Sequence, residues 1–193
     1  MMQRKPRLGS MAARPTGQWV RDDAYPKEST PVPWRLMTRS DLREVHSISL
    51  QVHTANPEDP SVFVERLRLY RTGCLVLEPG DKVSGYVISH PWRFKVPSKL
   101  NAHLGQIPRD ADTYYIHDIA LPESARGQGA GTEAVERLAD KARRAGLATL
   151  SLVAISDSTR FWRRQGFRAV VDAGLAATRA SYGSASRYMV RDL

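Results

Sequence analysis

The chain has one cysteine, Cys74, in 193 residues. That excludes an intrachain disulfide and points to a reducing, cytoplasmic setting. Cys74 opens the apolar run Cys74–Leu77, so it reads as a small core residue rather than a nucleophile. No apolar run approaches the roughly 20 residues that a membrane-spanning helix needs. Acids are missing from the first 21 residues, where Arg4, Lys5, Arg7, Arg14 and Arg21 supply five of the nine net positive charges and leave +4 for the rest. This stretch also lacks apolar periodicity and the apolar core of a secretory signal. Met1 to Pro31 therefore reads as a flexible basic tail ahead of a single domain from Val32 to Leu193. Its Arg-rich, acid-poor composition fits an organellar transit peptide, and equally fits extra sequence ahead of a start at Met11 or Met37. Nucleic-acid binding by the tail ranks last, because basic tails are common. His46, His53, His90 and His103 show no ligand-like spacing and have no cysteine partners, so no metal site is expected.

What is present centres on Tyr114 to Leu121, followed by Pro122-Glu123-Ser124-Ala125 and then Arg126-Gly127-Gln128-Gly129-Ala130-Gly131. The pattern is a buried strand, a polar turn and a glycine-rich loop that opens a helix. Glycines at alternate positions keep side chains away, so several backbone N–H groups can point at one anion near the positive end of the helix dipole. The loop is a candidate phosphate cradle. It is not a Walker loop, because Thr132-Glu133-Ala134 follows Gly131 where Lys-Ser/Thr is needed. It is also tighter than the G-x-G-x-x-G dinucleotide fingerprint.

The rest of the chain reads as alternating short elements. Pro33 to Met37 is a first strand, and Ser40 caps a helix from Asp41 to about His53, with Glu44 completing the capping pattern. Ser61 to about Tyr70 is a second helix. Cys74 to Leu77 and Val83 to Ser89 form a hairpin around Pro79-Gly80-Asp81. Pro91 to Asp112 is irregular, and a loop of that length is often functional. Ala130 to Ala145 is amphipathic, with Ala134, Val135, Leu138, Ala139 and Ala142 facing in, and Gly146 ends it. Ala148 to Ile155 is a strand, Ser156 caps a short helix carrying Phe161 and Trp162, and strands follow at Phe167–Val171 and Ser186–Arg191.

The order strand, Arg126-x-x-Gly129-x-Gly131, helix, strand and then Phe161-Trp162-x-x-x-Gly166-Phe167 resembles the GNAT superfamily of acyl-CoA-dependent N-acetyltransferases, over roughly Trp34 to Leu193. The resemblance implies an α/β (α+β) fold. Its centre would be a mixed, mostly antiparallel twisted sheet of about six to seven strands flanked by about four helices, with a V-shaped split between the two central strands. It implies acetyl-CoA as cosubstrate and no metal. By the same resemblance, the main chain of Ile119, Ala120 and Leu121 pairs with the pantetheine amides. Arg126, Gly127, Gln128, Gly129, Ala130, Gly131 and Thr132 serve the pyrophosphate, and Ser158, Phe161 and Trp162 complete the cofactor groove.

Direct attack of an amine on a thioester needs a neutral amine, while a free alkylamine has a pKa near ~10.4. The site therefore needs a base or proton wire, an oxyanion stabiliser and a proton for the thiolate. Within the superfamily, Ile116-His117-Asp118-Ile119-Ala120-Leu121 is similar to the arylalkylamine N-acetyltransferase strand Leu-His-Ala-Leu-Ala-Val. That implies a role for His117 in deprotonating the amine. A second histidine of that branch falls on Tyr115, the other catalytic candidate. The acid-side tyrosine falls on Trp162, whose indole N–H does not titrate in this range. Tyr182, Tyr188 or water would replace it, or the thiolate would leave unaided.

Strand alternation puts Tyr115, His117, Ile119 and Leu121 on one face and Tyr114, Ile116, Asp118 and Ala120 on the other. His117 and Asp118 are then not expected to point into the cleft together, and Asp118 reads as structural. Trp92 and Tyr182 are candidates for lining the acceptor pocket. The expected reaction is acetylation of a primary amine on a small molecule, a polyamine or an arylalkylamine, by a monomer or homodimer. The alternatives are a protein N-terminal or lysine acetyltransferase and a non-catalytic acyl-CoA-binding module.

Overall fold

The computed structural model describes residues 33–155, 158–175, 182–183 and 185–193. The tail from Met1 to Pro31 and the expected cap at Ser156 lie outside the described residues. The strands are β1 (Trp34–Leu36), β2 (Cys74–Leu77), β3 (Gly85–Trp92), β4 (Thr113–Ala120), β5 (Thr149–Ala154), β6 (Arg168–Ala169) and β7 (Arg187–Asp192). The α-helices are α1 (Leu42–Val52), α2 (Pro60–Leu69), α3 (Ala130–Arg144) and α4 (Thr159–Arg164). The strands form one seven-stranded sheet in the order β1-β2-β3-β4-β5-β7-β6. Every neighbouring pair is antiparallel except β4 and β5 at the centre. This is the mixed α/β architecture that the motifs imply.

Apolar surface decides the layering. On one face, Ala134, Val135, Leu138, Ala139 and Ala142 of α3 are all fully buried, packed with Tyr114, Ile116, Leu150 and Leu152. On the other face, Val45 and Ile48 of α1 and Phe63 and Leu67 of α2 pack with Val76, Tyr86 and Ile88. A third cluster joins Tyr115 to Leu175, Tyr188 and Val190.

Two expectations need correction. The first helix is not capped by Ser40 and Glu44. A 3-10 turn at Arg39–Asp41 precedes it, and the Thr38 N–H donates to the Asp41 carboxylate at 2.7 Å. Asp41 is held there by both terminal nitrogens of Arg35, at 2.8 and 2.9 Å, and this fixes the acid one turn ahead of Glu44. The hairpin's second strand also does not stop at Ser89 but runs through Pro91 to Trp92, opposite Tyr114 and Thr113. β2 begins at Cys74, opposite Ile88. Pro91 lies past that last β2–β3 pair, where a strand proline removes no ladder bond to β2.

The segment after β3 is irregular, as the prolines suggest, yet it is pinned to α2. The Leu104 and Gly105 N–H groups donate to Glu65, at 2.8 and 2.9 Å, and Arg66 donates to the Ala102 carbonyl at 2.8 Å. This strap borders the site.

Candidate active site

β4 and β5 pair only at Tyr114–Leu150 and Tyr115–Ser151. Beyond that point the strands diverge, and a cavity of about 910 Å³ opens between them. Ile119 and Leu121 line it from one strand, Val153 and Ile155 from the other. Main-chain groups that would have paired across the sheet are thereby left for a ligand.

The glycine loop forms one end. Gly127 and Gly129 have φ of +80° and +84°, a left-handed conformation that side chains resist. Gly129 is the N-cap of α3. Gly131 serves close approach instead, since a Cβ there would lie 3.1 Å from the Phe161 ring. The Arg126 Nε–H donates to the Leu121 carbonyl at 2.8 Å, folding the loop back on the end of β4. Arg126, Gly127, Gly129, Ala130, Gly131 and Thr132 all line the cavity. Ser158, Phe161 and Trp162 close its side. Trp162 packs edge-on between Phe161 and Phe167, with centroids 5.0 and 5.2 Å away. Ala120 and Gln128 do not line the cavity: the Ala120 side chain is buried on the α1–α2 face, and Gln128 is exposed.

The other end carries the titratable groups. Ile88 pairs with Asp118 and Ser89 with Ile116, leaving His117 as an extra residue in β4. This bulge switches the strand's alternation. Tyr114, Ile116, Ile119 and Leu121 now share the α3 face. Asp118 and His117 both turn toward α1 and α2 and both line the cavity. The expected opposition of His117 and Asp118 is thus overturned, because period-two alternation does not survive an inserted residue.

His117 Nε2 lies 3.0 Å from Glu58 Oε2, and these side chains are 2 % and 6 % exposed. The residue as a whole is half-buried, so what His117 exposes is its main chain. Its Nδ1 is buried with no hydrogen-bond partner. Burial alone would push the Glu58 carboxyl up. The His117 ring, the Asn101 N–H and the Arg66 guanidinium outweigh it and hold Glu58 at about 2.

Asp118 makes a second pair. His53 Nε2 lies 2.9 Å from Asp118 Oδ1, and the Tyr86 hydroxyl donates to Oδ2. Burial, then the Asp118 charge, pushes the Tyr86 phenol far up, so it stays a donor.

Tyr115 does not reach the cavity directly. It is 1 % exposed and hydrogen-bonded to Tyr182, which does line it. The Tyr182 hydroxyl donates to the Ser98 carbonyl at 2.8 Å. Tyr188 instead accepts from the Lys95 N–H, and neither Tyr188 nor Trp92 lines the cavity. His90 sits behind His117, ring centroids 6.4 Å apart. Burial and the neighbouring His117 push His90 down to about 3, so it is neutral.

The Acetyltransferase (GNAT) family profile matches residues 39–167. The chain belongs to the GNAT acetyltransferase family. No curated protein matches it in sequence. The loading GNATL domain of CurA from Lyngbya majuscula has the same fold, with TM-score 0.72 and 14% identity over 84% of this chain and 98% of that one. Ard1 from Thermoplasma volcanium follows with TM-score 0.63 and 15% identity over 83% and 97%. N-acetylglutamate synthase from Neisseria gonorrhoeae, complexed with coenzyme A and N-acetyl-glutamate, gives TM-score 0.62 and 17% identity over 84% of this chain and 35% of that one.

For a GNAT protein, the split strands, the left-handed glycines and the helix N-terminus suit the amide and phosphate groups of an acyl-CoA. Among the described residues there is no cluster of three metal-ligating side chains, and no helix is long and apolar enough to cross a membrane.

Sequence reasoning missed Glu58, His53 and Tyr86 as parts of the site. Glu58 and His53 meet β4 across 59 and 65 residues of chain, so no local spacing reports either pair. The one available signal for Glu58 is its place in Asn56-Pro57-Glu58-Asp59-Pro60, just ahead of the α2 N-cap Asp59.

Proposed function

We propose that this GNAT protein transfers the acetyl group of acetyl-CoA to a primary amine on a small, cationic molecule, an arylalkylamine or a polyamine, in the cytoplasm. The observation that carries this reading is the convergence on one cavity of a glycine loop at a helix N-terminus and two histidine–carboxylate pairs. Anionic phosphates suit the first end, and an ammonium suits the carboxylates of Glu58 and Asp118 at the second.

In this reading the main chain at Ile119 and Leu121 meets the pantetheine amides, and one freed N–H polarises the thioester carbonyl. Gly129, Gly131 and Thr132 offer donors to the pyrophosphate, with Arg126 adding charge. Ser158, Phe161 and Trp162 wall the pantetheine arm. His117, oriented by Glu58, assists loss of a proton from the attacking nitrogen. Tyr115 acts through Tyr182, the phenol that lines the cavity and the candidate donor to the departing thiolate.

The test is CoA release from acetyl-CoA across polyamines, arylalkylamines, amino acids and N-terminal peptides. Turnover on one amine class, reduced about 10²- to 10⁴-fold by His117→Ala near neutral pH, is expected. Tight acetyl-CoA binding with no turnover on any amine would leave a binding module instead.

A further inference from the structure

Turning an ammonium into an amide removes two protons from one nitrogen, the first before attack and the second from the adduct. One ends on the CoA sulfur and the other in solvent. The site holds two imidazoles, and they differ in access. The His117 side chain is 2 % exposed, its Nε2 faces Glu58 and its Nδ1 is sealed. The His53 side chain is 18 % exposed, lies at the C-terminal end of α1 and lines the same cavity.

His53 is also set up for proton exchange. Its Nε2 is bound to Asp118, itself fixed by the Tyr86 hydroxyl. A carboxylate on Nε2 holds the proton there and leaves the Nδ1 lone pair as the basic position, the logic of any carboxylate-oriented imidazole.

We propose that His53 is a second acid–base catalytic residue, which takes the first proton from the acceptor ammonium and passes it to solvent. This rests on the acetyltransferase reading above. The N–H bond of the ammonium breaks and an N–H bond forms at His53 Nδ1, giving a neutral amine and an imidazolium. The imidazolium then returns its Nδ1 proton to water, and no other reactant is required. The second proton leaves the adduct for the departing CoA sulfur.

The charges facing His53 are Asp118 from β4, Glu58 from the segment before α2 and Arg126 from the glycine loop. Burial opposes an imidazolium, as does Arg126. The two carboxylates outweigh both and raise its proton affinity above the ordinary 6.5. Near neutral pH an alkylamine is almost entirely charged, so a proton acceptor is needed there.

The deciding experiment is the pH dependence of kcat/KM for the best amine in the CoA-release assay, in wild type, His53→Gln and Asp118→Asn. In His53→Gln, activity should fall about 10²-fold at pH 7 and recover as pH approaches the amine's own value near ~10.4, where no base is needed. Asp118→Asn keeps the hydrogen-bonding shape while removing the charge, so the acid limb of the profile should move to lower pH. A loss equal at every pH would make His53 merely structural. An unmoved acid limb in Asp118→Asn, or an unchanged His53→Gln profile, would also overturn the proposal while leaving the acetyltransferase reading intact. Wild type that turns over no amine would overturn both.

Discussion

At the residue scale, Glu58 joins the site to its surroundings. It faces His117 at 3.0 Å and accepts from the Asn101 N–H at 2.8 Å, so one carboxylate orients the imidazole and anchors the strap. Its folded value, about 2, lies below the ordinary 4.5. A depressed carboxyl stabilises the fold fully above 4.5, and that contribution drains away as pH falls toward 2. Acid unfolding followed by circular dichroism should therefore steepen across this window, and Glu58→Gln should flatten it. The same substitution should cost about 1–3 kcal/mol at neutral pH, because it leaves buried partners poorly matched. Little of this is legible in the sequence. His117 is found because its neighbours on the strand form a recognisable run, whereas Glu58 and His53 gain meaning only from residues far away in the chain.

At the element scale, the glycine loop makes the sharpest prediction. Gly129→Ala forces a side chain into φ +84° and should cost about 1–2 kcal/mol in thermal melts. Because it tilts the first turn of α3, it should also weaken coenzyme A binding by titration calorimetry. Gly131→Ala should leave backbone strain unchanged and instead press on the Phe161 ring at 3.1 Å. The loop and α3 were readable because glycine spacing and 3.6-residue periodicity are local. The faces of β4 were misread for the opposite reason. The bulge at His117 arises from pairing with β3, and nothing within the strand's own eight residues announces it. The α1 cap was misplaced likewise, since Arg35 lies outside the window in which Ser40 and Glu44 look like a capping pair.

At the scale of the whole molecule, the sheet was expected with its central split, and β4 and β5 do meet at only two positions. A ligand spanning the gap ties the two halves of the sheet together. Coenzyme A at 100 times its Kd should add about 2.7 kcal/mol to stability. For a chain of this size that is about 5–10 °C in Tm by differential scanning fluorimetry. Desulfo-ligands without the nucleotide should give much less. The split also bears on solubility. Unpaired strand edges normally sit at the rim of a sheet, where they invite foreign strands to zip on and start aggregation. This protein keeps a pair of such edges in its interior. The wedge narrows to a closed vertex at Tyr115, so an intruding strand would run out of width within a few residues. A slim, flexible chain with amides spaced along it meets no such limit. The taper therefore works as a sieve, admitting a molecule that imitates a strand for a short distance and turning away the strands themselves.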